Sequence, residues 1–276
     1  MTASRVFDPT SDLHVGLRDE VPLWSALAGA LLLDHVPLDR TRVLDVGCGP
    51  GFPLLELAER LGPGARATGI DPWAAAVRRA HAKREQWDVP NADLVGGDAA
   101  KMPFRDGAFD LVVSNLGVNN FDDARTVVSE CRRVLEPGGA FVLCSNLVGT
   151  FRELYHVYEA VLRRAGDTTA LQRLKEHVDH RATVEGLGRL LLANGLRVHE
   201  SHRREVTMRF RDGGALLEHH FIRLGFLPAW TEVADGSAER AGHVLDQLRA
   251  ALDVVARAKG ELRLTVPLAT VVARAV

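Results

Sequence analysis

The 276-residue chain has few of the residues that mark specialised protein classes. It contains three cysteines, two tyrosines and three methionines, and its formal net charge is −2. An odd, sparse set of cysteines does not form a disulfide framework, so we expect reduced thiols and a cytoplasmic protein. A charge this close to zero gives no bulk attraction to a polyanion, so no nucleic-acid partner is expected.

Long hydrophobic runs are also missing. The longest covers residues 23–33, is interrupted by Ser25 and ends at Asp34. Because a helix needs about 20 apolar residues to cross a bilayer, no membrane span is expected. A basic start followed by an apolar core and a cleavage site is not found either, so no secretory leader is expected. We predict an irregular arm over residues 1–21, then a helix over residues 22–35 that caps the cofactor pocket or merely covers a sheet.

Against this background, a glycine-rich turn stands out. Residues 43–46 are mostly apolar and run into Gly47, Gly49 and Gly51. Residues 53–61 then carry apolar side chains at helical spacing, and Gly62 followed by Pro63 ends that helix. A strand, a tight turn and a helix in this order hold an anionic or zwitterionic cofactor at a helix N-terminus.

Two kinds of cofactor use such a turn. A dinucleotide fingerprint requires a third glycine where this chain has Phe52, a large ring. The chain instead places an acid, Asp45, two residues before Gly47. The Asp-x-Gly-x-Gly-x-Gly spacing resembles the first motif of the class I S-adenosylmethionine-dependent methyltransferases.

An acid follows the next predicted strand. Residues 65–71 read as a strand that ends at Asp71, 20 residues after Gly51. A carboxylate there can accept hydrogen bonds from both hydroxyls of a ribose, which both kinds of cofactor carry. Asp71 alone does not discriminate between them, and Pro72 would by itself favour a turn. Trp73 either flanks the adenine or packs.

A third acid makes the resemblance more specific. Residues 92–97 read as a short strand, and the run from Gly96 to Phe104 resembles the methyltransferase segment whose acid, here Asp98, holds the adenine amino group. Dinucleotide enzymes do not generally place an acid here, and the alternative role of Asp98 is to cap the next turn. The resemblance implies cofactor contacts from Asp45, Gly47, Gly49, Gly51, Asp71, Pro72, Trp73, Asp98, Ala99 and Asn115.

Residues 108–114 form the fourth predicted strand. The loop that follows it carries Asn115, Asn119 and Asn120. Methylases of nucleic acids and of protein amines often have prolines in this loop, and this chain has none. The loop is more similar to that of small-molecule and quinone methyltransferases. The asparagines can orient an acceptor or simply form turns. The run Arg132–Gly139 resembles the family's sharp turn before a fifth strand, here residues 140–145.

Alternating strands and helices predict an α/β fold with ligands at the carboxyl ends of the strands. With the resemblance, the expected fold is a Rossmann-like, doubly wound, mostly parallel seven-stranded sheet with an antiparallel last strand and helical cap insertions. We predict an N-terminal arm and capping helix in residues 1–40, and a methyltransferase domain in residues 41–276. Helical insertions at about 148–181 and 213–259 should select the substrate.

Methyl transfer from a sulfonium is an in-line displacement, so positioning supplies most of the rate. A general base is needed only when the acceptor carries a proton on its reacting atom. The histidines that could act as this base are His156, His177, His180, His219 and His220, and the sequence does not rank them. His177 and His180 have metal-ligand spacing but no convincing third ligand, so no metal is expected. The catalytic residue stays unassigned.

The resemblance thus implies an enzyme that uses S-adenosyl-L-methionine, releases S-adenosyl-L-homocysteine and methylates a small-molecule or lipid-like acceptor. Two alternatives stay open: methylation of a protein or peptide carboxylate, and a cofactor-binding module without catalysis. Phe52 and Asp98 oppose an NAD-dependent oxidoreductase. A homodimer is neither required nor excluded.

Overall fold

A seven-stranded sheet is the central element of the structure, a computed structural model that describes residues 7–19, 23–234 and 238–276. The strands are β1 (Arg42–Val46), β2 (Arg66–Asp71), β3 (Ala92–Gly96), β4 (Phe109–Asn115), β5 (Leu135–Asn146), β6 (Leu196–Phe210) and β7 (Leu262–Ala275). Their order in the sheet is β3-β2-β1-β4-β5-β7-β6.

The pairing explains why the predicted ligand-binding residues gather at one edge. β1 runs parallel to β2 and β4, β3 runs parallel to β2, and β5 runs parallel to β4. β7 is antiparallel to β5, with Cys144 opposite Thr270. The order reverses at β1, so a crevice forms beyond the carboxyl ends of β1 and β4. The predicted fold class is confirmed.

Helices connect the strands of this sheet. The helices that come before β6 in the chain are α1 (Asp12–Asp19), α2 (Leu23–Leu33), α3 (Leu54–Leu61), α4 (Ala74–Gln86), α5 (Ala124–Val134), α6 (Arg152–Arg164), α7 (Thr168–Asp179) and α8 (Val184–Ala193). Between β6 and β7 lie α9 (Gly213–Leu217), α10 (His220–Gly225), α11 (Leu227–Ala234) and α12 (Ala238–Lys259).

The core is built from strands that are apolar on both faces. Every residue of β4 is buried, as expected for a parallel strand covered by helices on both sides. One continuous apolar cluster joins these strands to α5 and α8. Side chains cap both helices: Asp123 accepts the Thr126 N–H, and Thr183 accepts the Gly186 N–H. The sequence pattern predicts a cap at Asp122 or Asp123 and a helix start at Thr183, and the capping residues are Asp123 and Thr183.

Several element predictions were wrong. Residues 12–19 form α1 where an irregular arm was expected. β5 begins at Leu135, immediately after α5, so the expected turn over 136–139 is part of an irregular strand start. The sequence pattern of residues 215–224 predicts a single helix, but the structure has two there, because His219 is extended between them. Residue 22, the expected helix start, lies outside the described residues.

The chain divides into two compact units. The sheet unit comprises residues 9–147, 182–204 and 268–276. The helical unit comprises the described parts of residues 148–181 and 205–267, with residues 7 and 8. The domain boundaries drawn from the sequence, 1–40 and 41–276 with insertions at 148–181 and 213–259, stay a prediction.

An aromatic cluster forms the centre of the helical unit. Trp230, Tyr158 and Phe151 are its largest fully buried side chains. The Tyr158 hydroxyl donates to the Trp230 carbonyl at 2.7 Å, and the Phe226 ring lies 5.0 Å from that of Phe151. Burying several large rings in one place gives this unit a core of its own.

Gly69 on β2 provides a stability test of the sheet unit. An added Cβ there would lie 2.6 Å from Leu54 Cδ2 and 2.7 Å from Cys48 Sγ. Because overpacking a filled core costs about 1–3 kcal/mol, Gly69→Ala should lower the free energy of unfolding by that amount in urea titration. Gly188→Ala is the matched control, since its Cβ on α8 meets nothing within 4 Å. Equal stability of the two variants would contradict this packing.

Candidate cofactor site

The glycine turn follows β1 as a tight backbone bend. Gly47, Gly49 and Gly51 have φ angles of 77°, 50° and 102°, a region that residues with a Cβ rarely adopt. The N–H of Gly47 donates to the Ile70 carbonyl at 2.9 Å, which fixes the turn to β2. A Cβ built on Gly49 would meet nothing within 4 Å. The turn therefore leaves open space on this side, where a ligand can approach the backbone.

Asp71 joins this turn to the start of α4. Its carboxyl oxygens accept the Gly49 N–H and the Trp73 N–H, each at 2.9 Å. Burial raises the pKa of Asp71, and these two amides and the charge of Arg18 act against that rise. Since each carboxylate oxygen has two acceptor positions, one remains on each for a ligand hydroxyl.

Asp45 lies at the start of the motif and is fully buried. Within the described chain, neither of its carboxyl oxygens has a hydrogen-bond partner. Burial and the nearby charge of Asp71 raise the pKa of Asp45 to about 8, against a smaller opposing influence of the Leu54 amide. A buried acid without a full set of partners is a common feature of ligand sites.

All three cysteines are free and buried. Cys48 packs under the glycine turn against β2, and burial raises the pKa of its thiol well above the usual value. Burial also raises the pKa of Cys131, and that of Cys144 to about 11. These thiols stay protonated near neutral pH, so Cys48 has the packing role expected from the sequence and cannot serve as a nucleophile.

Arg18 on α1 is a site residue that the sequence analysis missed. Its guanidinium lies over the Trp73 ring, 5.6 Å from the ring centroid. Burial lowers the pKa of Arg18, while the charge of Asp71 raises it. Two acids of α1 attach the helix to α4, because Asp12 pairs with Arg78 and Asp19 pairs with both Arg79 and Lys83. The available signal was Ser11, whose side chain accepts the His14 N–H.

The other predicted adenosine contacts lie at neighbouring strand ends. Asp98 follows β3, is exposed, and accepts the Ala100 N–H at 2.8 Å. Ala99 beside it is buried. Pro72 is exposed between Asp71 and Trp73. Asp98 therefore caps a turn in this structure, and its second oxygen has no partner among the described residues.

Asn115 and Phe52 meet the capping helix α2. The Asn115 side-chain amide donates to the Ser25 carbonyl at 3.1 Å, while its buried Oδ1 has no partner in the described chain. The Phe52 ring packs against Gly29, where a Cβ would come within 2.3 Å of it. α2 thus lies at the end of β4, beside the glycine turn.

The other loop asparagines make structural hydrogen bonds. The Asn119 amide donates to the Asn146 carbonyl at 2.8 Å, and its Oδ1 accepts the Ala182 N–H at 3.4 Å. Asn120 donates to the Leu116 carbonyl at 2.7 Å. Asn120 thus closes a turn within its own loop, whereas Asn119 joins the loop to residues 27 and 63 positions further along the chain.

The candidate bases all lie in the helical unit. His156 is exposed, and the buried Nδ1 of His219 has no partner within the described residues. His219 and His220 lie with ring centroids 4.7 Å apart, and burial lowers the pKa of His219. No group of three metal-binding side chains occurs among the residues that the structure describes.

A second missed feature is a cluster around the Tyr155 hydroxyl, also in the helical unit. Arg181 and the indole of Trp230 donate to this oxygen at 3.1 and 3.2 Å. Nε2 of His177 lies 3.0 Å from it. The partners are 22 to 75 residues away in sequence, so no local pattern could have indicated the cluster.

Comparison with known proteins finds sequence similarity in the central part of the sheet unit. Residues 44–143 match the methyltransferase domain model. A demethylmenaquinone methyltransferase of Geobacillus is 35% identical over 121 residues, which are 42% of this chain and 51% of that protein. One from Listeria welshimeri is 37% identical over 99 residues, covering 36% and 42%. In these matches, the chain spans about half the length of the relatives or less.

Solved structures extend the likeness of fold to nearly the whole chain. A putative methyltransferase from Bacillus halodurans superposes with a TM-score of 0.58 and 21% identity, over 89% of this chain and 97% of that one. Geranyl diphosphate C-methyltransferase from Streptomyces coelicolor gives 0.54 and 16%, over 98% and 84%. Residues 44–143 thus match a methyltransferase domain, and the chain has the class I methyltransferase fold that the glycine turn predicted. Among the described residues, no helix is long and apolar enough to cross a membrane.

The buried Asp45 carboxyl makes stability depend on pH. Its pKa is about 8 in the folded chain and about 3.9 when unfolded. Between these values the folded chain holds a proton that the unfolded chain has lost, so the free energy of unfolding falls as pH rises from about 4 to 8. At pH 8, Asp45→Asn should be more stable than the parent by at least about 1 kcal/mol, and the difference should shrink toward pH 5. Urea titrations of the parent and of Asp45→Asn across this pH range test this expectation. If the two free energies of unfolding changed in parallel with pH, Asp45 would not be protonated in the folded chain.

Proposed function

We propose that this protein transfers a methyl group from S-adenosyl-L-methionine to a small-molecule or lipid-like acceptor and releases S-adenosyl-L-homocysteine. The observation that carries the proposal is the Asp71 carboxyl, held by the Gly49 and Trp73 amides within a methyltransferase domain. Its remaining acceptor positions suit the two hydroxyls of a ribose.

The residues around Asp71 fit the rest of this cofactor. The open space at Gly49 suits a ligand lying against the backbone of the turn. The unpartnered carboxyl of Asp45 and the open oxygen of Asp98 suit the ammonium and adenine amino groups of an adenosyl amino acid. When bound, the cofactor supplies a methyl group already activated on a sulfonium. The chain then has to hold the acceptor in line and exclude water.

The relatives support the choice of acceptor class. Two of them are named as methylating demethylmenaquinone, and a protein of similar fold is named for geranyl diphosphate. Both named acceptors combine an apolar body with oxygen atoms. We infer a similar amphipathic acceptor for this chain, in preference to a protein or peptide carboxylate. The buried, unpaired thiols support a reducing compartment such as the cytoplasm.

Calorimetry with the spent cofactor tests the cofactor assignment. The parent chain should bind S-adenosyl-L-homocysteine and leave NAD unbound. Asp71→Asn should weaken binding of S-adenosyl-L-homocysteine at least about tenfold, because it removes the charge from the proposed ribose contacts.

Asp93→Asn is the matched control for Asp71. This aspartate lies on β3 and forms an exposed pair with Arg66, so its loss should leave cofactor affinity unchanged. Binding of NAD in place of S-adenosyl-L-homocysteine, or equal affinity of Asp71→Asn and the parent, would refute the proposal. Transfer of a labelled methyl group to a quinol or prenyl acceptor would then separate an enzyme from a binding module.

Asp98→Asn tests the proposed adenine contact separately. An asparagine oxygen can still accept the Ala100 N–H, so the turn should be retained. Its amide would present a donor to the adenine amino group, where the carboxylate presented an acceptor. We expect at least about fivefold weaker binding of S-adenosyl-L-homocysteine at an unchanged melting temperature. Parent-like affinity would show that Asp98 only caps its turn.

A further inference from the structure

Arg181 is a buried cation without an acidic partner. Its exposed fraction is 7%, although arginine is seldom buried unless a carboxylate accompanies it. Among the described residues, no Asp or Glu lies within ion-pair distance of its guanidinium. Its hydrogen bonds go to the His177 carbonyl at 3.2 Å and to the Tyr155 hydroxyl at 3.1 Å. The carbonyl belongs to the last turn of α7, whose partial negative charge compensates a full positive charge only in part.

The other groups of the cluster are neutral. The Tyr155 oxygen accepts from Arg181 and from the Trp230 indole, so its own proton is left to donate to Nε2 of His177. Burial and the charges of Arg181 and His180 lower the pKa of His177 to about 4. The imidazole is therefore uncharged at neutral pH and adds no second cation beside Arg181.

The guanidinium retains unused hydrogen-bond donors. It has five N–H groups in a planar fork, and one from each terminal nitrogen serves the His177 carbonyl and the Tyr155 hydroxyl. The guanidinium also lies over the Tyr155 ring, with its carbon 5.6 Å from the ring centroid. Three donors and an uncompensated charge suit an oxyanion, which arginine can hold through two parallel hydrogen bonds.

A cavity of about 520 Å³ adjoins the same tyrosine. It lies between α6 and α7, and its lining combines Tyr155 and the apolar Leu171, Leu174 and Val178 with charged residues of both signs: Arg152, Glu159, Arg163, Lys175 and Asp179. This volume is within the usual range for a small-molecule site. Apolar side chains beside a tyrosine that contacts a buried cation favour a ligand with an apolar body and one acidic group.

We propose that Arg181, held in place by the Tyr155 hydroxyl, binds an ionised oxygen of the methyl acceptor, an amphipathic molecule bearing a phenolate, enolate or carboxylate. The identity of this ligand as the acceptor rests on the proposed function. The binding of an oxyanion by Arg181 does not depend on that function. The helical unit lies outside the matched methyltransferase domain. On a shared scaffold, acceptor selection is expected in such added segments.

Calorimetry on the full chain tests the site with 2-naphthoate, the uncharged 2-naphthamide and inorganic phosphate as probes. The parent should bind 2-naphthoate at least about tenfold more tightly than 2-naphthamide. Arg181→Gln should abolish that preference, and Arg181→Lys should keep part of it, because lysine retains the charge without the fork. Arg209→Gln is the matched control, since it removes an exposed arginine of the helical unit that pairs with Glu261.

Binding of S-adenosyl-L-homocysteine, measured on every variant, keeps the two proposals apart. Loss of that binding in the parent, with 2-naphthoate still bound through Arg181, would refute the proposed function and leave the oxyanion site. Equal binding of 2-naphthoate by the parent and Arg181→Gln would overturn the site. Binding of phosphate alone, or of none of the three probes, would overturn it as well. If Arg181→Gln fails to fold, Arg181→Lys decides by its ratio of 2-naphthoate to 2-naphthamide affinity.

Discussion

The carboxyl of Asp71 links three parts of the sheet unit, because it ends β2 and accepts amides from the glycine turn and from the start of α4. The same carboxyl opposes ionisation of the buried Asp45. Ionisation of both acids at these adjacent strand ends would place more negative charge here than the surrounding protein compensates, so Asp45 keeps its proton near neutral pH. Arg18 supplies one compensating charge from α1. A ligand that brings hydroxyl donors and positive charge would supply the rest, which is why this edge of the sheet suits an adenosyl sulfonium.

Local signals were enough to predict most of the fold. β1, the glycine turn and α3 follow from apolar patterning and glycine, and Asp123 and Thr183 mark helix starts through their own side chains. α1 could not be predicted with the same ease, because its acids pair with arginines and a lysine 60 to 66 residues away. Propensity calculations over a short window do not include such pairs. The break at His219, whose backbone is extended between α9 and α10, was missed because no glycine or proline marks it in the sequence.

The site divides in the same way between what the sequence can and cannot show. The acids at strand ends could be assigned because a parallel sheet brings its carboxyl ends to one edge, whatever the rest of the fold does. Tyr155, Arg181 and Trp230 come from three separate segments of the helical unit. Their convergence depends on how α6, α7 and α11 pack. The matched relatives do not help here, since their likeness is carried by about two fifths of the chain.

The complete burial of the three thiols has a practical outcome. Cys48 lies beneath the glycine turn, Cys131 on α5 and Cys144 on β5, and each is at most 1% exposed. A maleimide or disulfide reagent can reach them only when the surrounding structure opens. The rate at which each sulfur reacts under native conditions would thus report how often the structure opens locally around that cysteine, at three places in the sheet unit. A single cysteine introduced on the surface could carry a fluorophore without removal of the native ones.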